Sequence, residues 1–199
     1  MKLICNKEGI EKSSKVLKDG GIIVFPTDTV YGIGCDPYNK NSVERIYQIK
    51  GRPKTKPFPI LASSIGVVSE IAEIDRDSKK IANKFWPGPL TLILKLKDEK
   101  LKESLNIKEK IAIRVPNNSC LLNLLESSKF LIGTSANRSG EKPFTKSQSC
   151  FESLNDYDVF LDGGDIEDKG ESTILEMDKG KAIIHRQGAL KEEELKEFF

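Results

Sequence analysis

Histidine is all but missing from this sequence: His185 is the only one among 199 residues. A site needing two imidazoles, such as a two-histidine metal centre, is excluded, and the lone ring, in the apolar run from Ala182, reads as structural. Cysteine is scarce as well. Cys5, Cys35, Cys120 and Cys150 lie far apart with no CxxC pair, which argues against zinc and leaves buried free thiols as the expectation. No apolar run approaches the ~18 residues of a membrane helix, and the start, Met1 to Asn6, is too short for a signal peptide, so a cytoplasmic protein without membrane contact is expected. An excess of one charge is absent too: 32 cations face 30 anions for a net +2, so any basic site must be local. Neither a Walker P-loop nor a GxGxxG run occurs, no serine has an obvious base beside it, and no carboxylates stand out as an acid/base couple. Those absences point to catalysis by positioning and charge stabilisation, the pattern of phosphoryl or nucleotidyl transfer.

What the chain does have is an alternation of strand and helix patterns. Helical periodicity runs over Glu8 to Asp19, Asn41 to Ile49, Ser64 to Ala72, Asp77 to Phe85, Ser119 to Ser127, Lys146 to Leu154 and Leu190 to Phe199. Strands are expected at Gly21 to Phe25, Phe58 to Ala62, Thr91 to Lys97, Ile111 to Val115, Phe130 to Thr134 and Val159 to Leu161, with a hairpin from Thr173 to His185 around Lys179-Gly180. Asp98 to Lys110 reads as a charged surface connection. With 38% apolar residues the chain can fill one core, so a single α/β domain over 1–199, built on a twisted mixed sheet, is expected.

Four loops follow those strands and helices, and all suit one anionic, phosphate-bearing ligand. Val24 to Asp36 runs from an apolar strand into proline, hydroxyls and two glycines. Lys50, Arg52, Lys54 and Lys56 alternate without an acid, as if on one side of an extended segment that clamps a triphosphate. A solvated loop is the plain alternative, and an arm for the minor groove of DNA the sharper one. Thr134 to Gly140 sets small hydroxyl and amide side chains directly after a strand, and Glu171-Ser172-Thr173 has Arg186 behind it. Arg114 also closes a strand, where a cation commonly hooks a carboxylate.

Seven motifs in order carry a family resemblance: Pro26 to Gly32, Lys50-Gly51-Arg52-Pro53, Trp86 to Thr91, Arg114-Val115-Pro116, Ser135 to Gly140, Ser172-Thr173 and Arg186 to Ala189. Together they resemble the YrdC/TsaC family in its short, single-domain form. The resemblance implies helices and sheet around a concave basic cleft, and synthesis of threonylcarbamoyl-AMP and pyrophosphate from L-threonine, bicarbonate or CO2, and ATP. A tRNA-modifying transferase complex would then use the product at N6 of the adenosine at position 37 of tRNA. It further implies Lys50 and Arg52 as catalytic residues, with Arg52, Lys56, Ser135, Asn137 and Arg186 on ATP. Thr29, Arg114, Thr134 and Ser172 would hold threonine, while Thr27 and Tyr31 shape the pocket. Mg2+ would come with the triphosphate, with no protein metal site. Leu61 and Asn118 depart from relatives that carry histidine there. A basic cleft that binds RNA or ribosomes without turnover is an open alternative. A carbamoyl-transfer role is the other, though no segments resembling an acylphosphatase or a zinc finger accompany it.

Overall fold

The computed structural model describes residues 1–198, and along them most helix starts are set by asparagine, aspartate or serine. After β1 (Lys2–Ile4), Asn6 caps α1 (Lys7–Lys18) by accepting from Gly9 N, and the chain turns at left-handed Gly20 into β2 (Ile23–Phe25). A further strand, β3 (Gly32–Gly34), lies inside the expected binding loop. Asn39 caps α2 (Lys40–Lys50), which ends at left-handed Gly51. β4 (Ile60–Ala62), α3 (Ile65–Ile71) capped by Ser64, and β5 (Ala72–Glu73) follow, and Asp75 caps α4 (Arg76–Phe85). After β6 (Leu90–Leu96) the charged segment forms α5 (Glu99–Leu105) and not a plain connection, because Asp98 caps it and Leu101 and Leu105 are buried. Then come β7 (Lys110–Arg114), α6 (Ser119–Ser128) capped by Asn118, β8 (Phe130–Ile132), β9 (Thr134–Ser135) and α7 (Ser147–Ser153). β10 (Val159–Asp162) precedes the hairpin of β11 (Thr173–Asp178) and β12 (Lys181–Arg186), which turns at Lys179-Gly180 as the sequence suggests. At the end, α8 (Glu192–Leu195) and a 3-10 turn (Lys196–Phe198) replace the single expected helix, whose last residue, Phe199, lies outside the described residues.

The α/β class holds, but the strands divide into two mixed sheets where one was expected. The first has the order β1-β10-β2-β3-β9, and the second β12-β11-β6-β7-β4-β8 with β5 at the side of β6. In the first, β1, β10 and β2 are parallel, β3 returns antiparallel to β2, and β9 pairs antiparallel with β3. The sheets meet where β3 passes β8. Ile132 N donates to Cys35 O at 2.9 Å, and a Cβ on Gly34 would lie 1.8 Å from Ile132 O, so only glycine permits the approach. One continuous cluster, with Val24, Ile33 and Phe160 from the first sheet and Ile60, Leu92 and Ile113 from the second, fills the space between them.

The expectation of four free thiols is corrected at one pair. Cys5 and Cys120 form a disulfide with Cα atoms 5.9 Å apart, 115 residues distant in sequence. α1 packs along α6 and brings their N-terminal ends together, which no local spacing discloses. Cys35 and Cys150 are buried free thiols, and burial raises both, Cys150 to about 12. No helix among the described residues is long and apolar enough to cross a membrane.

Candidate active site

β2 runs into Pro26, and the hydroxyls beyond it fold the chain back on itself. Thr27 Oγ1 donates to Val30 O (2.7 Å) and accepts from Thr29 N (3.0 Å) and Val30 N (3.1 Å). The Thr29 hydroxyl lies 3.1 Å from that of Thr27, and its oxygen keeps two lone pairs as an acceptor. One of them accepts from Arg114 Nη1 at 3.0 Å.

Arg114 ends β7 only 6% exposed, so every N–H it spends must find an acceptor. Nη2 donates to Asp28 Oδ1 at 2.6 Å and Nε to Gly88 O at 2.9 Å. The turn that supplies this carbonyl, Trp86 to Pro89, is itself held by Trp86 Nε1 on Leu90 O (2.7 Å) and Gly88 N on Val115 O (2.9 Å). Burial draws the Arg114 pKa down and Asp28 draws it back up, leaving a fixed cation with N–H groups to spare.

Arg186, at the end of β12, folds back on the segment before β11. Its Nε and Nη2 donate to Ser172 O (3.1 and 2.8 Å), Nη2 also to Ser172 Oγ (3.1 Å), and Nη1 pairs with Glu171 at 3.0 Å. Ser172 Oγ meets Thr91 Oγ1 from β6 at 2.9 Å. Arg52 follows left-handed Gly51; its Nε donates to Lys56 O (2.9 Å), and its guanidinium lies 5.2 Å over the Phe58 ring. Burial first, then the charge of Arg186, lowers the Arg52 pKa, against the pull of Tyr47 and Glu171. The two guanidiniums add positive charge to one site, a field that attracts a polyanion.

These groups surround a cavity of about 180 Å³. Arg114 is at its buried side, and Arg186 and Glu171, with side chains 38% and 36% exposed, are at its open side.

Lys50 behaves differently from the rest of the basic row. It is 3% exposed, and its Nζ donates to Ser135 O and to Asn137 O (2.7 Å), while Ser139 N donates to Lys50 O (2.8 Å). Lys54 pairs with Glu44 at 2.7 Å. The expected one-sided extended row therefore does not form: Lys50 still belongs to α2, and Gly51 reverses the chain, so the cations diverge. Burial, then Arg52, pushes the Lys50 pKa from 10.5 down to about 8. Between those values the native state binds fewer protons than the unfolded chain, so this residue makes stability rise with pH. Urea unfolding across that window should show the rise in the wild type and a flatter curve in Lys50→Met; parallel curves would contradict it.

The family model named Sua5_yciO_yrdC, described as telomere recombination, matches residues 15–188. The chain belongs to this family. It is 32% identical over 182 residues to the threonylcarbamoyl-AMP synthase of Pyrococcus abyssi, covering 90% of this chain and 54% of that one. To the synthase of Bacillus subtilis it is 31% identical over 197 residues, covering 97% and 57%. The chain thus spans little more than half the length of these two relatives. The structure of P. abyssi Sua5 complexed with L-threonine superposes with a TM-score of 0.90 at 28% identity, over 100% of this chain and 60% of that one. E. coli YciO shares the fold, with a TM-score of 0.89 at 23% identity over 100% and 99%.

Within this Sua5/YciO/YrdC fold, Thr29, Arg52, Arg114, Thr134, Ser135, Ser172 and Arg186 all reach the cavity wall, as does Leu61. Lys50, Lys56 and Asn137 do not. Asn137 stands behind the wall, its Nδ2 donating to Arg138 O (2.9 Å) and Glu141 O (2.7 Å) and its buried Oδ1 without a partner. Tyr31 is off the wall too: its hydroxyl donates to Gly164 O at 2.7 Å and steadies the chain after β10. Asn118 reaches Thr27 O at 3.4 Å and so props the first loop from below. Sequence reasoning gave no role to Asp28, Glu171 or the Gly88 carbonyl. All three lie within stretches it singled out, but their roles depend on arginines far along the chain.

Proposed function

We propose that this chain condenses L-threonine, bicarbonate or CO2, and ATP into threonylcarbamoyl-AMP and pyrophosphate, the product passing to a tRNA-modifying transferase complex. The observation that carries this reading is the charge layout of the cavity: one fixed, buried guanidinium among hydroxyls, with the guanidiniums of Arg52 and Arg186 on the same wall. The names of the P. abyssi and B. subtilis relatives, and the threonine in the P. abyssi Sua5 structure, support it. Size supports it as well. A volume of about 180 Å³ suits a small amino acid; it is below the ~300 Å³ at which larger ligand pockets begin, so ATP would lie across the open side.

On this reading, spare N–H groups of Arg114 take the threonine carboxylate, and Thr29, Thr134 and Ser172 surround its polar groups. The carbamate formed from the amine attacks the α-phosphorus, so no protein nucleophile is needed. Arg52 and Arg186, with Lys56 outside, stabilise the charge that builds on the phosphates. Ser135 offers a hydrogen bond to the nucleotide, while Asn137 and Lys50 act from behind the wall by holding that turn rigid. The closed side keeps the labile carbamate dry and aligned. Among the described residues no three His, Cys, Asp or Glu side chains gather as a metal cage. Mg2+ would be carried on the triphosphate's own oxygens, where it would supply charge neutralisation.

The test is pyrophosphate release from ATP with threonine or bicarbonate omitted in turn. Release that needs both is expected; release independent of either overturns the proposal.

A further inference from the structure

We propose that Glu171 binds the ammonium of the amino-acid substrate and accepts its proton, an inference that rests on the carbamate chemistry proposed above. An amino acid arrives as a zwitterion, so a site that takes it whole needs an anion beside its cation. Among the described residues Glu171 is the only carboxylate on the cavity wall, which is otherwise hydroxyl, apolar or cationic. The other nearby acid, Asp28, is off that wall and already accepts from Arg114 Nη2 (2.6 Å) and Asn117 N (3.1 Å). Glu171 is held from one side only, through Oε1 by Arg186 Nη1 at 3.0 Å, which leaves Oε2 for a ligand. Its backbone is fixed: Ala189 N donates to Glu171 O at 2.8 Å, and Gly188 packs so closely that a Cβ there would come within 2.3 Å of the same oxygen.

The step balances without an oxidant or reductant. One N–H bond of the ammonium breaks and its proton moves to Glu171 Oε2. The nitrogen lone pair then forms the N–C bond to CO2 as a C=O π pair moves onto oxygen, and the second proton leaves to water, giving the carbamate.

Glu171→Gln keeps the shape and removes the charge. Calorimetry without ATP would compare threonine with 2,3-dihydroxybutanoate, in which a hydroxyl replaces the amine. The wild type should prefer threonine by about 10-fold or more, as for a bond to a charged group, and the variant should lose that preference. In the pyrophosphate assay kcat/KM for threonine should fall about 100-fold at neutral pH and recover as pH rises and free amine accumulates. A variant that keeps the preference, or that shows only a raised KM for ATP with an unaltered pH profile, overturns the proposal and leaves Glu171 a support for Arg186. A wild type whose pyrophosphate release ignores threonine would instead overturn the parent reading.

Discussion

Arg114→Ala is expected to lower both stability and turnover. The arginine and Asp28 are buried together at 2.6 Å, with side chains 7% and 13% exposed. Removing one partner of such a pair leaves the other charge uncompensated, at a cost of about 3–5 kcal/mol. Gly88 O and Thr29 Oγ1 lose their donor at the same time, so the Trp86 to Pro89 turn and the first loop loosen together. Urea unfolding should show the loss as a lower midpoint. Arg114→Lys separates the two effects. It keeps the charge, but one ammonium cannot reproduce the planar fork to three acceptors. The lysine variant should fold with a smaller penalty and still show a raised KM for threonine. An unchanged midpoint in the alanine variant would contradict the buried-pair account.

Arg52→Ala should act in the opposite proportion. Its acceptors, Lys56 O and Pro57 O, lie in the segment just after α2, and the bonds to them are exposed, so the fold has little to lose. If Arg52 meets the phosphates as charge develops, turnover should drop by about 100- to 1,000-fold, the usual effect of removing one aimed donor. The unfolding midpoint should stay close to that of the wild type. Turnover within a few-fold of normal would take Arg52 out of the chemistry.

Most of the fold was legible locally because its helix starts are local. Asn6, Asn39, Ser64 and Asn118 each accept from a backbone N–H three residues on, and the strand expected at Thr91 to Lys97 forms as β6, buried through Leu90, Thr91 and Leu92 and alternating only beyond them. What escaped depends on long-range partners. β3 is short and glycine-rich, and is a strand only because β2 and β9 flank it. The division into two sheets follows from the close pass of Gly34 and Ile132. The Cys5–Cys120 bridge spans 115 residues. In the site, the motif residues that end strands were legible, since strand ends point at the cavity. Lys50 was misjudged as one of a row because its direction is set by the helix it closes and by carbonyls 85 and 87 residues away. The roles of Asp28 and Glu171 were missed for the same reason: each gains its meaning from an arginine at the end of a distant strand.

The central claim is that one cavity joins an amino acid, a one-carbon unit and a nucleotide. Incubation with ATP, threonine and carbon-13 bicarbonate, followed by mass spectrometry, tests it most directly. The account predicts an adenylate that carries threonine and the labelled carbon together, absent when either is withheld. AMP or ADP alone, or an adenylate without the label, would contradict it.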